Sequence, residues 1–239
     1  MQGESKLTLV KTDSGHFVPP SLIDAGDWPE NPQTQPSDLS DISVRELDLS
    51  RCKLTELDLS IYPNLEVLDC SNNTLSTLDL SYNSALKRLY CYNNQLISLD
   101  LSAAPDLELL HCGGNKISQL DFSPTPKLSW IFCYKNQLKV LDLTYTRSLS
   151  KLFCDWNQLS DLDVSQNNQL ITLCCYANRL SQLNLSGLAK LQKLSCRSNK
   201  LVELDISHTP KLEMLYCKNN FLNLVDVSKT PLLVDKDFS

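Results

Sequence analysis

Apolar positions in this chain recur every 21 residues. One copy runs Leu65-x-x-Leu68-x-Cys70-x-x-Asn73-x-Leu75-x-x-Leu78-Asp79-Leu80-Ser81, and the opening position is next filled by Leu86, Leu107, Leu128, Leu149, Leu170, Leu191 and Leu212. Cysteine keeps the same step at Cys70, Cys91, Cys112, Cys133, Cys154, Cys175, Cys196 and Cys217. An altered copy starts at Val44, with Leu49 in the cysteine column and Cys52 in the asparagine column. Within a copy, Leu68 and Cys70 alternate with Val67, Asp69 and Ser71, the period of a strand with one buried side. A unit this short cannot enclose a core, so stacked copies must share one, which predicts a repeat solenoid. Nine copies occupy 44–232 and a truncated repeat or tail occupies 233–239.

The polar columns read as structural. Asparagine recurs from Asn73 to Asn220, just after the strand, where the chain must turn. Its amide both donates and accepts, so it can satisfy backbone groups that the turn buries. Aspartate recurs from Asp58 to Asp226, with Asn184 in one copy and a Ser or Thr two residues on in every copy. Side chains of this kind accept backbone N–H groups in tight turns. Calcium is the rival reading of that column, but the glycine-rich calcium-binding repeat signature is missing. Adjacent parallel strands lie about 4.8 Å apart with side chains in parallel, whereas a disulfide needs converging Cβ atoms about 3.8 Å apart. The ladder cysteines therefore read as reduced, buried thiols acting as small hydrophobes. A linear column also fails to cluster ligands for zinc.

The motif LxxLxCxxNxLxxL, at 21 residues with cysteine in the third leucine position, resembles the cysteine-ladder leucine-rich repeats of internalin J and related bacterial surface proteins. The resemblance covers about residues 44–232. It implies a right-handed curved solenoid, mostly β and loops, with a parallel β-sheet on the concave face. It also implies adhesion or host contact by a secreted or cell-surface protein. The sequence has no LPxTG-type sorting motif, so it does not support cell-wall anchoring. Reduced thiols fit a cytoplasmic protein as well.

Function is expected on the outward strand positions, three per repeat. Eight of those 24 positions in the second to ninth copies are aromatic, against 7% of the chain, so the face is enriched in rings. The candidate partner-binding set is Arg88, Tyr90, Tyr92, His111, Trp130, Phe132, Tyr134, Lys151, Phe153, Trp156, Tyr176 and Tyr216. Aromatics also favour strands and stabilise sheets by stacking. The expectation here is that these rings face solvent, with Lys135, Lys151, Asp155 and Arg88 as a polar rim, because an exposed apolar patch marks an interaction site. Cys174, outside the ladder, is expected to be exposed or ring-covered. It lacks a general base within reach, since His111 lies three repeats away, roughly 14 Å at the strand spacing. No Ser-His-Asp set, phosphate loop or metal triad appears, so the chain reads as non-catalytic, without cofactor or metal.

Net charge is -6 and pI about 5.1, which argues against nucleic acid or anionic lipid as the main partner. No apolar run reaches 18 residues, so membrane insertion is not expected. The outward face is locally basic, through Arg88, Lys151, Lys193, Arg197 and Lys218. A protein with an acidic surface is the favoured partner, and a glycan or a stalk role is the alternative. Residues 1–43 lack the repeat and read as an N-terminal cap with a Pro-rich connector, while the C-terminal tail reads as a cover for the last coil or a cut end.

Overall fold

The computed structural model describes residues 44–238, so the cap and connector expected at 1–43 lie outside the described residues. Ten three-residue strands follow one another: β1 (Glu46–Asp48), β2 (Val67–Asp69), β3 (Arg88–Tyr90), β4 (Leu109–His111), β5 (Trp130–Phe132), β6 (Lys151–Phe153), β7 (Thr172–Cys174), β8 (Lys193–Ser195), β9 (Met214–Tyr216) and β10 (Asp235–Asp237). They form one parallel sheet in chain order, with every register step equal to the repeat. No helix occurs among the described residues.

The columns explain the coil. Each strand turns its middle residue inward, so Leu47, Leu68, Leu89, Leu110, Ile131, Leu152, Leu173, Leu194 and Leu215 stack in register. All nine are fully buried, and the eight ladder cysteines beside them are buried and unbridged. Leu75 and Leu80, with their equivalents, close the far side of the same continuous core. Burying one such leucine is worth roughly 1.5–3 kcal/mol, which a single 21-residue unit could not collect alone.

The polar columns bond as their chemistry requires. Asn136 Oδ1 accepts from Ile117 N at 3.0 Å, while its Nδ2 donates to Cys112 O at 3.0 Å and Cys133 O at 3.1 Å. One amide thus joins two repeats, and the pattern recurs from Asn73 to Asn220. The aspartates close turns: Asp79 Oδ1 accepts from Ser81 N at 2.9 Å, and Asp205 Oδ1 accepts from Ser207 N at 2.8 Å. Bonds from the Ser81 N–H and hydroxyl, and from the Ser207 hydroxyl and N–H, hold both carboxyls below the usual carboxylate range. At the C-terminal end Lys236 replaces leucine in the inward column, between Asp235 and Asp237. Charges on an edge strand discourage further pairing.

Candidate functional site

The strand period puts two residues of each strand outward, and a third follows two positions later. Register then builds columns across the sheet. The central column runs Asp69, Tyr90, His111, Phe132, Phe153, Cys174, Ser195 and Tyr216.

Rings from neighbouring strands meet. Phe132 and Phe153 stack with centroids 4.9 Å apart, and Trp130 sets its edge to Phe132 at 6.4 Å. Lys151 Nζ lies 4.2 Å above the Trp130 ring. Tyr92 stacks on His111 at 4.2 Å. His111 Nε2 and the Tyr134 hydroxyl share a hydrogen bond of 3.1 Å. Tyr134 reaches back one repeat because Gly113 has no side chain: a Cβ there would sit 2.8 Å from the ring. Trp156 sets its edge to Tyr176 at 5.9 Å. Arg197 covers Tyr216 at 4.4 Å and pairs with Asp237 at 2.7 Å, while the Tyr216 hydroxyl donates to Asp235.

The expectation that all these rings face solvent is corrected. Tyr90, His111, Tyr134, Phe153 and Tyr216 are buried, and Phe132 is only 2% exposed. Strands about 4.8 Å apart bring large side chains into mutual contact, and the central column packs as a second apolar layer. Val67, Tyr90 and Leu109 form one such group, and Phe132, Tyr134, Phe153, Cys174 and Tyr216 another. Asp155 is not a rim residue either, at 1% exposure. Cys174 is ring-covered rather than exposed, and burial pushes its thiol well up, the opposite of an activated nucleophile. Of the candidate residues, Arg88 is exposed, while Tyr92, Trp130, Lys151 and Tyr176 are half-buried.

Trp156 stands apart. It is 53% exposed at φ +53°. Every copy places a left-handed residue at this turn: Asn72, Asn93, Gly114 and Asn219 are the types that tolerate it, while Arg51, Lys135, Ala177 and Ser198 carry the same backbone strain as Trp156. A bulky aromatic there is unusual enough to invite a functional explanation.

Two buried titratable groups are perturbed in opposite senses. Burial lowers His111 to about 3, so it is neutral at ordinary pH. Burial raises Asp155 to about 7 against its bonds to Cys174 and Tyr176, and Tyr176 N donates to its Oδ1 at 3.0 Å. Its Oδ2 has no hydrogen-bond partner among the described residues. The sequence carried no signal for this burial, which depends on neighbours 21 residues away. The cradle at Gly113 was also missed, although a glycine in an outward column is a readable sign of close approach.

The family pattern described as leucine rich repeats, in two copies, matches residues 42–83. The solved functional domain of InlJ from Listeria monocytogenes, which includes a cysteine ladder, matches at 35% identity with TM-score 0.81. That match covers 82% of this chain and 44% of that one. The chain is a leucine-rich-repeat protein resembling the InlJ cysteine-ladder domain. A leucine-rich-repeat protein of Leptospira interrogans matches at 27% identity and TM-score 0.77, over 82% of this chain and 55% of that one. Internalin InlF of Listeria monocytogenes shares the fold at 22% identity and TM-score 0.78, over 85% of this chain and 64% of that one. The chain thus spans less than two thirds of each of these relatives. No curated protein matches its sequence. Among the described residues, no helix is long and apolar enough to cross a membrane.

Proposed function

We propose that this chain is a non-catalytic binding module that recognises a protein partner through its concave face, as a secreted or surface protein of a bacterium. The observation that carries the reading is Trp156, a large ring held out to solvent on left-handed backbone beside Tyr176. Left-handed backbone costs a non-glycine residue roughly 1–2 kcal/mol, and asparagine carries it more readily. Aromatic anchors are the side chains that most often dominate interface energy. Trp130, Tyr92 and Tyr176 add half-buried rings to the same face beside a buried aromatic floor, and Arg88 and Lys151 supply positive charge for an acidic partner. The identity to the InlJ functional domain supports a comparable role.

The test pairs stability with binding. Trp156→Asn removes the ring and relieves the backbone, so its melting temperature should rise, corresponding to roughly 0.5–1 kcal/mol. Affinity for a ligand found by screening extracellular proteins and a glycan array should fall at least about tenfold, and Trp130→Ala should do likewise. Capture of a glycan rather than a protein moves the reading to sugar stacking. Unchanged binding by both variants places the site elsewhere and ends this proposal.

A further inference from the structure

The aspartate column carries more charge than its turn requires. Asn184 fills the same place, and its Oδ1 accepts from Ser186 N at 2.9 Å, the bond that Asp79 and Asp100 take from Ser81 N and Ser102 N. An uncharged oxygen therefore closes this turn. Eight of the nine copies nevertheless hold a carboxylate there. The charge brings repulsion, since Asp100 and Asp58 both act against the exposed Asp79. Among the described residues, no ion pair engages Asp58, Asp79, Asp100, Asp121 or Asp142.

An apolar row runs beside these five carboxylates. Three positions after each aspartate stand Ile61, Tyr82, Ala103, Pro124 and Tyr145. Ile61 is 46% exposed, Tyr82 58% and Tyr145 52%, with Ala103 and Pro124 half-buried between them. In the last four copies the same position holds Gln166, Gly187, His208 and Lys229. The coil is the same in both halves, so it does not require the apolar residues. Single surface hydrophobics are ordinary, but five at one position in successive copies form a continuous patch. The matching stretches 55–63, 76–84, 97–105 and 118–126 contain no lysine or arginine.

The spacing selects the occupant. Equivalent residues of adjacent coils recur at about 4.8 Å, and an α-helix advances about 5.4 Å per turn. A helix laid across the coils meets one aspartate and one row residue per turn, with a mismatch of roughly 0.6 Å per step that a flexible lysine absorbs. Four steps take about 19 Å, close to four helical turns or roughly 14 residues. An extended strand repeats its side chains every two residues, about 6.6 Å, and falls out of step at once.

We propose that the turn side of the first five coils docks a cationic amphipathic helix of a partner protein, with its lysines or arginines on the aspartate row and its apolar stripe on Tyr82 and Tyr145. This surface is separate from the rings of the concave face, and it stands or falls without them.

A labelled, end-capped peptide of about 16 leucines and lysines at helical spacing is the probe, and fluorescence anisotropy on the full chain in low salt measures its affinity. Tyr82→Ser with Tyr145→Ser should weaken binding at least about tenfold, and so should Asp79→Asn with Asp100→Asn. Both pairs keep the fold, the first because the rings are exposed and the second because Asn184 closes the same turn. Asp163→Asn with Asp205→Asn removes the same charge beside the polar half of the row and should change affinity less than about twofold. Trp156→Asn should leave binding unchanged. Absent binding overturns the proposal, and so do equal losses from the two aspartate pairs, which mean that the peptide follows net charge. Binding that survives loss of both tyrosines overturns it as well, as does equal binding of a peptide scrambled off helical spacing. A loss on Trp156→Asn moves the peptide to the concave face and has the same consequence. Self-association that the tyrosine pair abolishes, read by sedimentation, assigns the row to a second copy instead and also ends the proposal.

Discussion

His111 and Asp155 are buried one repeat either side of the β5 repeat, which carries Phe132 and Tyr134, and they respond to pH in opposite directions. The folded state holds His111 at about 3, below its ordinary 6.5, so the unfolded chain binds the extra proton between those values and stability rises with pH. The folded state holds Asp155 at about 7, above its ordinary 3.8, so the folded chain binds the extra proton and stability falls as pH rises through that window. Each group contributes a slope of up to about 1.4 kcal/mol per pH unit, and the two oppose each other between about pH 4 and pH 6.5. The protein's own pH profile should therefore be shallow there. Asp155→Asn should uncover the histidine's rising slope, and His111→Gln the aspartate's falling one. Urea melts at half-unit pH steps would show this, and parallel profiles for all three proteins would contradict the burial of these groups. Neither role could be read from residue type: an outward Asp or His on a repeat looks like a rim residue until the side chains of adjacent repeats are in place.

A coil of this solenoid is held by groups that belong to its neighbours. Asn136 bonds one backbone N–H and three carbonyls drawn from two repeats, so Asn136→Ala leaves the buried Ile117 N–H without its acceptor and takes one of two amide donors from Cys112 O and Cys133 O, which keep Asn115 and Asn157. The expected cost is about 1–3 kcal/mol. Asn220 likewise bonds one N–H and two carbonyls but is only half-buried in the last full coil, where ends fray, so Asn220→Ala should cost clearly less. Denaturant midpoints for the two variants measure the difference, and equal losses would mean that the ladder is not cooperative along the solenoid. Strand positions, their inward and outward sides, and the asparagine and aspartate turns were all legible in the repeat. The second apolar layer was not. Truncating Phe132, at 2% exposure, now falls with core changes that typically cost about 3–5 kcal/mol, so it is a poor probe of binding.

At the scale of the molecule, the cysteine ladder is a built-in reporter of global opening. Ten free thiols include eight in the ladder and Cys174, all buried, while Cys52 is the one that is not. Burial raises the ladder thiols, for example Cys217 to about 11, and the thiolate is the reactive form. Titration without denaturant should label Cys52 first, Cys217 at the C-terminal end much more slowly, and the central ladder only when the whole solenoid unfolds. Rapid native labelling of most ladder cysteines would contradict a single continuous core.

The sequence by itself determined the solenoid, the copy length, the sheet register and the role of each repeated column. It could do so because a repeat is one-dimensional information: residues 21 apart are forced into contact, and period two separates core from surface. The tertiary structure alone decided which outward residues remain reachable. That outcome depends on side-chain volumes in adjacent strands: Gly113 makes room for Tyr134, Phe132 closes over Phe153, and Asp155 is shut in among Cys174 and Tyr176. It depends equally on backbone handedness, which holds Trp156 out at a turn where asparagine would sit with less strain.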